Sequence, residues 1–271
     1  MLVPSFAVLS GGQVRRVLHG RERRIIEIVD AAYRTHGAGA PTPGGAGEAI
    51  LVLKKDDTGQ PFACMENSII RAVRTAALTV LAAGWLSRNR CRARLGFVGL
   101  GRVARYVHTY LTATGWRFDD VYAYDPARPP ATAFQSYVER RGGHVRLCPG
   151  TQDVVANSDL VVFATNAGSA HVRDLAWFDH NPVVLQVSRR DLAPEVMRSA
   201  ANFADDVHLS GRTLYDVMTG SATVPQDRPV VFTPFGVADL DVAVGQHVYN
   251  EVRASGTLSV VDDFFADGIL L

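Results

Sequence analysis

The chain has 271 residues, with 28 basic and 27 acidic side chains, a net charge of +1 and 47% hydrophobic residues. That length can bury a core in one large domain or two modest ones, and the composition excludes disordered and fibrous classes. Near-zero charge with interspersed signs argues against a nucleic-acid or anionic-membrane partner, either of which needs a clustered basic surface. The longest uncharged stretch is residues 1–14, broken by Pro4, Gly11 and Gly12. It falls short of the roughly 20 apolar residues that span a bilayer and lacks the basic start of a signal peptide. Cys64, Cys91 and Cys148 are odd in number and widely spaced, so neither a disulfide framework nor a zinc site is expected. The expectation is a soluble cytoplasmic protein. Lys54 and Lys55 are the only lysines and sit in a turn-like Lys-Lys-Asp-Asp-Thr-Gly run, so amine chemistry from lysine is not expected.

In chain order, residues 21–34 show apolar positions at three-to-four spacing and predict an amphipathic helix. Residues 35–47 hold five glycines and two prolines without periodicity and read as a linker. Residues 49–54 and 62–65 flank an Asp-Asp-Thr-Gly turn and predict a hairpin. Asn67 or Ser68 is placed to cap a long helix through about Leu86, whose uncharged interior predicts burial. From Arg94 onward, apolar runs at 95–98, 121–124, 144–147, 160–164, 183–187 and 230–232 alternate with helical segments, the pattern of a parallel sheet covered on both faces. A final helix is expected over about 239–254.

Gly99-Leu-Gly101-Arg-Val-Ala104 follows the first of these strands and opens a helix, the context in which Gly-x-Gly-x-x-Ala binds a dinucleotide. Gly99 permits the tight turn and Gly101 leaves room for a pyrophosphate. The free N–H groups of the helix start, at Arg102 and Val103, would hold that group, and Ala104 lets helix and sheet approach. Asp125 ends the second strand 24 residues beyond Gly101, where an acid binds ribose hydroxyls and favours NAD over NADP; Arg128 tempers that choice, and Asp125 also reads as an ordinary turn acid. Thr165 and Asn166 follow the 160–164 strand at the carboxyl edge, where they read either as cofactor contacts or as a plain polar loop. Ser188, after the 183–187 strand, joins the cofactor-binding set and has no nucleophile-elbow context. His108 reads as a helix residue, and His171, His180 and His208 show no metal-ligand spacing.

Glu66-Asn-Ser-Ile-Ile-Arg-Ala-Val-Arg74-Thr-Ala-Ala ahead of Gly96-Phe-Val-Gly-Leu-Gly-Arg-Val-Ala resembles the ornithine cyclodeaminase/mu-crystallin family. Asp57-Thr-Gly-Gln-Pro-Phe-Ala-Cys-Met-Glu66, Gln186-Val-Ser-Arg-Arg-Asp191-Leu-Ala-Pro-Glu and Thr233-Pro-Phe-Gly-Val-Ala-Asp-Leu-Asp resemble its 2,3-diaminopropionate-biosynthesis branch, as does Val261-Asp-Asp-Phe-Phe265. The resemblance implies an NAD-dependent dehydrogenase that cleaves N-(2-amino-2-carboxyethyl)-L-glutamate to 2,3-diaminopropionate and 2-oxoglutarate, for a siderophore or peptide natural product. It maps a substrate-carboxylate ligand onto Arg74 and a catalytic acid beside the substrate amine onto Asp191. From the residues alone, Arg74 in an apolar helix needs an anion, which a substrate or a structural acid such as Glu66 would supply. Asp191 likewise reads as a general acid/base at the sheet edge or as a helix cap before Leu-Ala-Pro-Glu.

The expected architecture is α/β: a Rossmann-type parallel sheet domain at 91–236, and a smaller α+β substrate and dimerisation domain at 1–90 completed by 237–271. Its apolar hairpin and helix lead to the expectation of a homodimer. The chain departs from the family at 35–47, where relatives carry strands with basic substrate ligands including a lysine, and at a second shortening between Asp206 and Gly211. A pocket with fewer cations leaves an ornithine cyclodeaminase-type enzyme and a non-catalytic NAD-binding protein as alternatives.

Overall fold

The computed structural model describes residues 5–39, 44–46, 49–87, 94–206 and 211–265. Cys91, His208 and parts of both shortened intervals lie outside the described residues. The chain divides into two compact units, Met1–Arg74 with Val237–Leu271, and Thr75–Gly236.

In the first unit, β1 (Phe6–Leu9) runs into α1 (Gly11–Leu18). The switch is made by a reciprocal cap, in which Ser10 Oγ accepts from Gln13 N and Gln13 Oε1 accepts from Ser10 N. The uncharged run 1–14 is therefore partly a strand and a helix start. Helix α2 (Glu22–Gly37) buries Ile25, Val29 and Tyr33 along one stripe, as its periodicity requires. After β2 (Gly44–Ala46), the predicted hairpin forms from β3 (Ile50–Lys54) and β4 (Pro61–Glu66), with Leu51 opposite Met65 and Leu53 opposite Ala63. Helix α3 (Ser68–Leu86) follows, and the division between the units falls within it. Asn67 takes the N-cap position, its carbonyl accepting from Arg71 N at 2.9 Å, and the Glu66 carboxylate accepts from the N–H groups of Ser68 and Ile69 at 2.8 and 3.2 Å. A carboxylate there satisfies orphan donors and faces the positive end of the helix dipole. The length and apolarity of α3 would suffice to cross a membrane, but its apolar window is 72% buried inside the protein, as in the core helix of a folded domain.

The second unit is built on β5 (Leu95–Val98), α4 (Arg102–Ala113), β6 (Val121–Tyr124), α5 (Arg128–Glu139), β7 (Val145–Leu147), α6 (Thr151–Ala156), β8 (Leu160–Phe163), β9 (Val183–Gln186), α7 (Pro194–Ser199), β10 (Ala201–Ala204), α8 (Leu214–Met218) and β11 (Val230–Thr233). Its seven strands lie in the order β10-β11-β9-β8-β5-β6-β7, every neighbouring pair parallel. Strands β5, β8, β9 and β11 are buried at every position, which explains their continuous apolar sequence. Strand β10 lies on the edge and was not among the expected runs, because Ala-Asn-Phe-Ala has too little β-branched character to stand out. From β5 the chain winds outward through β6 and β7, then returns to pair β8 on the other side of β5. The carboxyl ends of β5 and β8 therefore flank a topological switch point, where open α/β sheets bind ligands.

The first unit is completed by α9 (Ala238–Ala254) and β12 (Ser259–Val261), which pairs antiparallel with β1. Its mixed sheet has the order β12-β1-β4-β3-β2.

Candidate active site

The turn after β5 is shaped by contact with the strand across the switch point. Gly99 has φ +84°, and a Cβ there would lie 2.5 Å from the Ala164 carbonyl oxygen. Two independent constraints thus demand glycine. Gly101 differs: an added Cβ would meet no atom within 4 Å, so open space lies before the helix. Gly101 is the N-cap of α4 and provides no side-chain acceptor, which leaves the first-turn N–H groups at Arg102 and Val103 available to an anion. The cradle fits a pyrophosphate.

Asp125 sits at the end of β6, beside this turn. Its Oδ2 accepts from Leu100 N at 2.8 Å and its Oδ1 from Ala127 N at 2.9 Å. The acid therefore fixes the glycine turn against its own strand end. A carboxylate oxygen has two acceptor sites, so this tie and a ribose contact are compatible. Arg128 begins α5 three residues on and lines a cleft of about 680 Å³ with Arg105, Thr132, Ser136 and Arg140, giving the cleft a cationic rim.

At the carboxyl ends of β8 and β9 the structure brings three of the sequence candidates together. Thr165 Oγ1 and Ser188 Oγ both donate to the Asp191 carboxylate, and Asp191 is fully buried. Thr165 Oγ1 also accepts from Ala167 N at 3.1 Å, which closes the loop bearing Asn166, itself exposed. The turn from β9 to Asp191 passes through Arg189 at φ 65°, a left-handed conformation uncommon outside glycine. The helix-cap reading of Asp191 is overturned: α7 begins at Pro194, its N-cap is Ala193, and no side chain bonds to it. Sequence spacing did not reveal His171, whose Nδ1 lies 4.0 Å from Asp191 Oδ1, because 20 residues separate the two.

In the first unit, Arg74 is 5% exposed and makes a side-on bidentate pair with Asp241 of α9, Nε to Oδ1 at 2.7 Å and Nη2 to Oδ2 at 3.2 Å. The anion that the buried guanidinium requires is thus supplied by the chain itself, and Glu66 is committed to the α3 cap. Nη1 is the nitrogen that this pair does not use. Asp239, two residues earlier, holds His36 Nδ1 at 2.7 Å. Of the remaining histidines, His108 is buried on α4 among Phe97, Phe134 and Tyr137. Burial, with a smaller push from Arg141, lowers its pKa to about 4, so it is neutral packing.

A winding parallel sheet, a glycine turn opening onto a free helix start and an acid at the end of the next strand define a dinucleotide-binding α/β protein. Residues 39–205 match the profile of the ornithine cyclodeaminase/mu-crystallin family, more than half of the chain, and the chain belongs to that family. Ketimine reductase mu-crystallin of Mus musculus is 26% identical over 222 residues, spanning 75% of this chain and 69% of the relative. The solved Delta(1)-pyrroline-2-carboxylate reductase of Thermococcus litoralis, in complex with NADH and L-proline, superposes with a TM-score of 0.82 at 18% identity, covering 94% of this chain and 100% of that one. An archaeal alanine dehydrogenase dimer with bound NAD gives 0.82 at 19% identity, covering 96% and 100%.

Proposed function

We propose that the chain is an NAD-dependent oxidoreductase acting at the carbon–nitrogen bond of a small amino acid, and that its substrate is the diaminopropionate-branch adduct N-(2-amino-2-carboxyethyl)-L-glutamate. The observation that carries the chemistry is the buried Asp191 carboxylate at the sheet's carboxyl edge, held by two hydroxyl donors. Thr165 and Ser188 fix its direction, leaving it to take the proton of a substrate amine as the carbon–nitrogen bond becomes an imine. Gly99, Gly101 and the N–H groups of Arg102 and Val103 would hold the cofactor's pyrophosphate, and Asp125 its ribose. Bound NAD supplies the hydride acceptor. Water then adds to the substrate imine and splits it into an amine and a 2-oxo acid. The choice of adduct rests on the branch-like segments around Asp57, Gln186, Thr233 and Val261.

Incubation with NAD and the glutamate adduct is expected to give NADH absorbance and 2-oxoglutarate in equal amounts. Neither product from a preparation that binds NADH would reject the dehydrogenase and leave the second reading, a cofactor-binding protein without turnover. The Arg74–Asp241 pair favours that alternative, because it already satisfies the guanidinium expected to hold the substrate.

The homodimer belongs to the same proposal. Val8, Ile50 and Val261 are exposed at 38, 56 and 41% on strands of the five-stranded sheet, an apolar surface that a second copy would cover. Sedimentation at micromolar concentration is expected to give twice the chain mass.

A further inference from the structure

We infer that His171 is the proton relay of Asp191, carrying to solvent the proton that the buried acid collects. The inference rests on the catalytic reading of Asp191 above. A carboxylate with no exposed surface, held among the described residues by two neutral hydroxyls, has no direct exit for a proton. The His171 side chain is 39% exposed and its Nδ1 lies 4.0 Å from Asp191 Oδ1, so the ring is both near the acid and open to solvent. Catalytic hydrogen bonds are often long before the substrate arrives and tighten in the complex.

The spacing is built into the backbone. His171 N and Val172 N both donate to the Asp191 carbonyl at 3.0 Å, and Ala193 N donates to Val172 O at 2.9 Å. Val172 bridges Leu192 in parallel, and both side chains lie in the core of the unit, so the two segments cannot drift apart independently. Among the described residues, Asp191 is the only carboxylate within ion-pair distance of the imidazole. Its charged neighbour Arg173 is turned to Glu195 at 3.5 Å and to the Ala170 carbonyl at 3.4 Å. In the relay, the Asp191 O–H bond breaks, an Nδ1–H bond forms on the neutral ring, and the imidazolium returns a proton to bulk water. No electron pair leaves either residue.

The test has a readout independent of turnover. Proton NMR ring signals of His171 in the whole chain are compared with those of Asp191→Asn, which keeps the shape and replaces the acid. The His171 ring shifts are expected to change when the facing carboxylate is lost. Unchanged ring shifts in a folded variant would overturn the relay. Kinetically, His171→Ala is expected to lower kcat about tenfold or more with KM little changed, within the range of general acid–base effects. Added imidazole should restore the rate, while the same ionic strength of salt should not. A His171→Ala rate equal to wild type, or one that imidazole does not raise, counts against the relay. Absence of turnover in the wild type would defeat the proposed function, and the ring shifts would still decide whether the two residues are coupled.

Discussion

Arg74 and Asp241 stand 167 positions apart in the chain, and their side chains meet at 2.7 Å in a site closed to solvent. Removing one member of such a pair strands the other as an uncompensated buried charge, which costs about 3–5 kcal/mol, whereas replacing both with apolar residues of similar size is often nearly neutral. Asp241→Ala and Arg74→Ala are each expected to lose that much stability in urea unfolding. The double replacement Arg74→Met with Asp241→Leu should recover most of it. If Arg74 also holds a substrate carboxylate, the recovered double variant will be folded and inactive.

The two glycines of the turn separate folding from binding. Gly99→Ala forces a Cβ against the Ala164 carbonyl at a positive φ and is expected to lower stability by at least about 1–3 kcal/mol, the cost of such backbone strain. Gly101→Ala meets nothing in the protein, so its thermal unfolding should match wild type. Its methyl group occupies the space before the helix, and NADH affinity by fluorescence titration should fall about tenfold or more.

If Asp125 holds the cofactor's ribose, it also sets the cofactor preference against the arginines of the cleft that Arg128 lines. Asp125→Ser removes the acid that repels a 2′-phosphate while leaving Arg105 and Arg128 in place. The ratio of NADPH to NADH affinity is expected to rise at least about tenfold, one charge contact's worth. Equal ratios in variant and wild type would assign Asp125 to holding the turn alone.

His108 makes acid stability measurable. Burial holds its folded pKa near 4, below the unfolded value of 6.5, so the unfolded chain binds the extra proton as pH falls. Its full contribution is present above pH 6.5. Stability then drops by about 3 kcal/mol between pH 6.5 and 4, at about 1.4 kcal/mol per pH unit of pKa difference. His108→Leu should flatten that segment of the pH–stability profile measured by denaturant unfolding. An unchanged slope would show that other groups carry it.

Local patterns carried much of this protein into view. Strands β5, β8, β9 and β11 announce themselves because they are buried on both faces and so run continuously apolar. The glycine turn is legible because backbone geometry, not a distant partner, dictates Gly99. The stripe Ile25, Val29, Tyr33 follows from its period, and the hairpin β3–β4 from the Asp-Asp-Thr-Gly turn between its two runs. Strand β1 and helix α1 were missed inside an uncharged run, although Ser10 and Gln13 carried the capping signal.

What tertiary structure decided are the partnerships of charge. The anion for Arg74, the hydroxyls on Asp191, the imidazole facing it and the Glu66 cap depend on where distant segments dock or on which of several adjacent polar groups wins a donor. A sequence shows that a buried arginine must have a counter-ion. Only the packing of α9 settles that it is Asp241, because Coulomb attraction and desolvation depend on distance in space, and the chain sets that distance only when it folds.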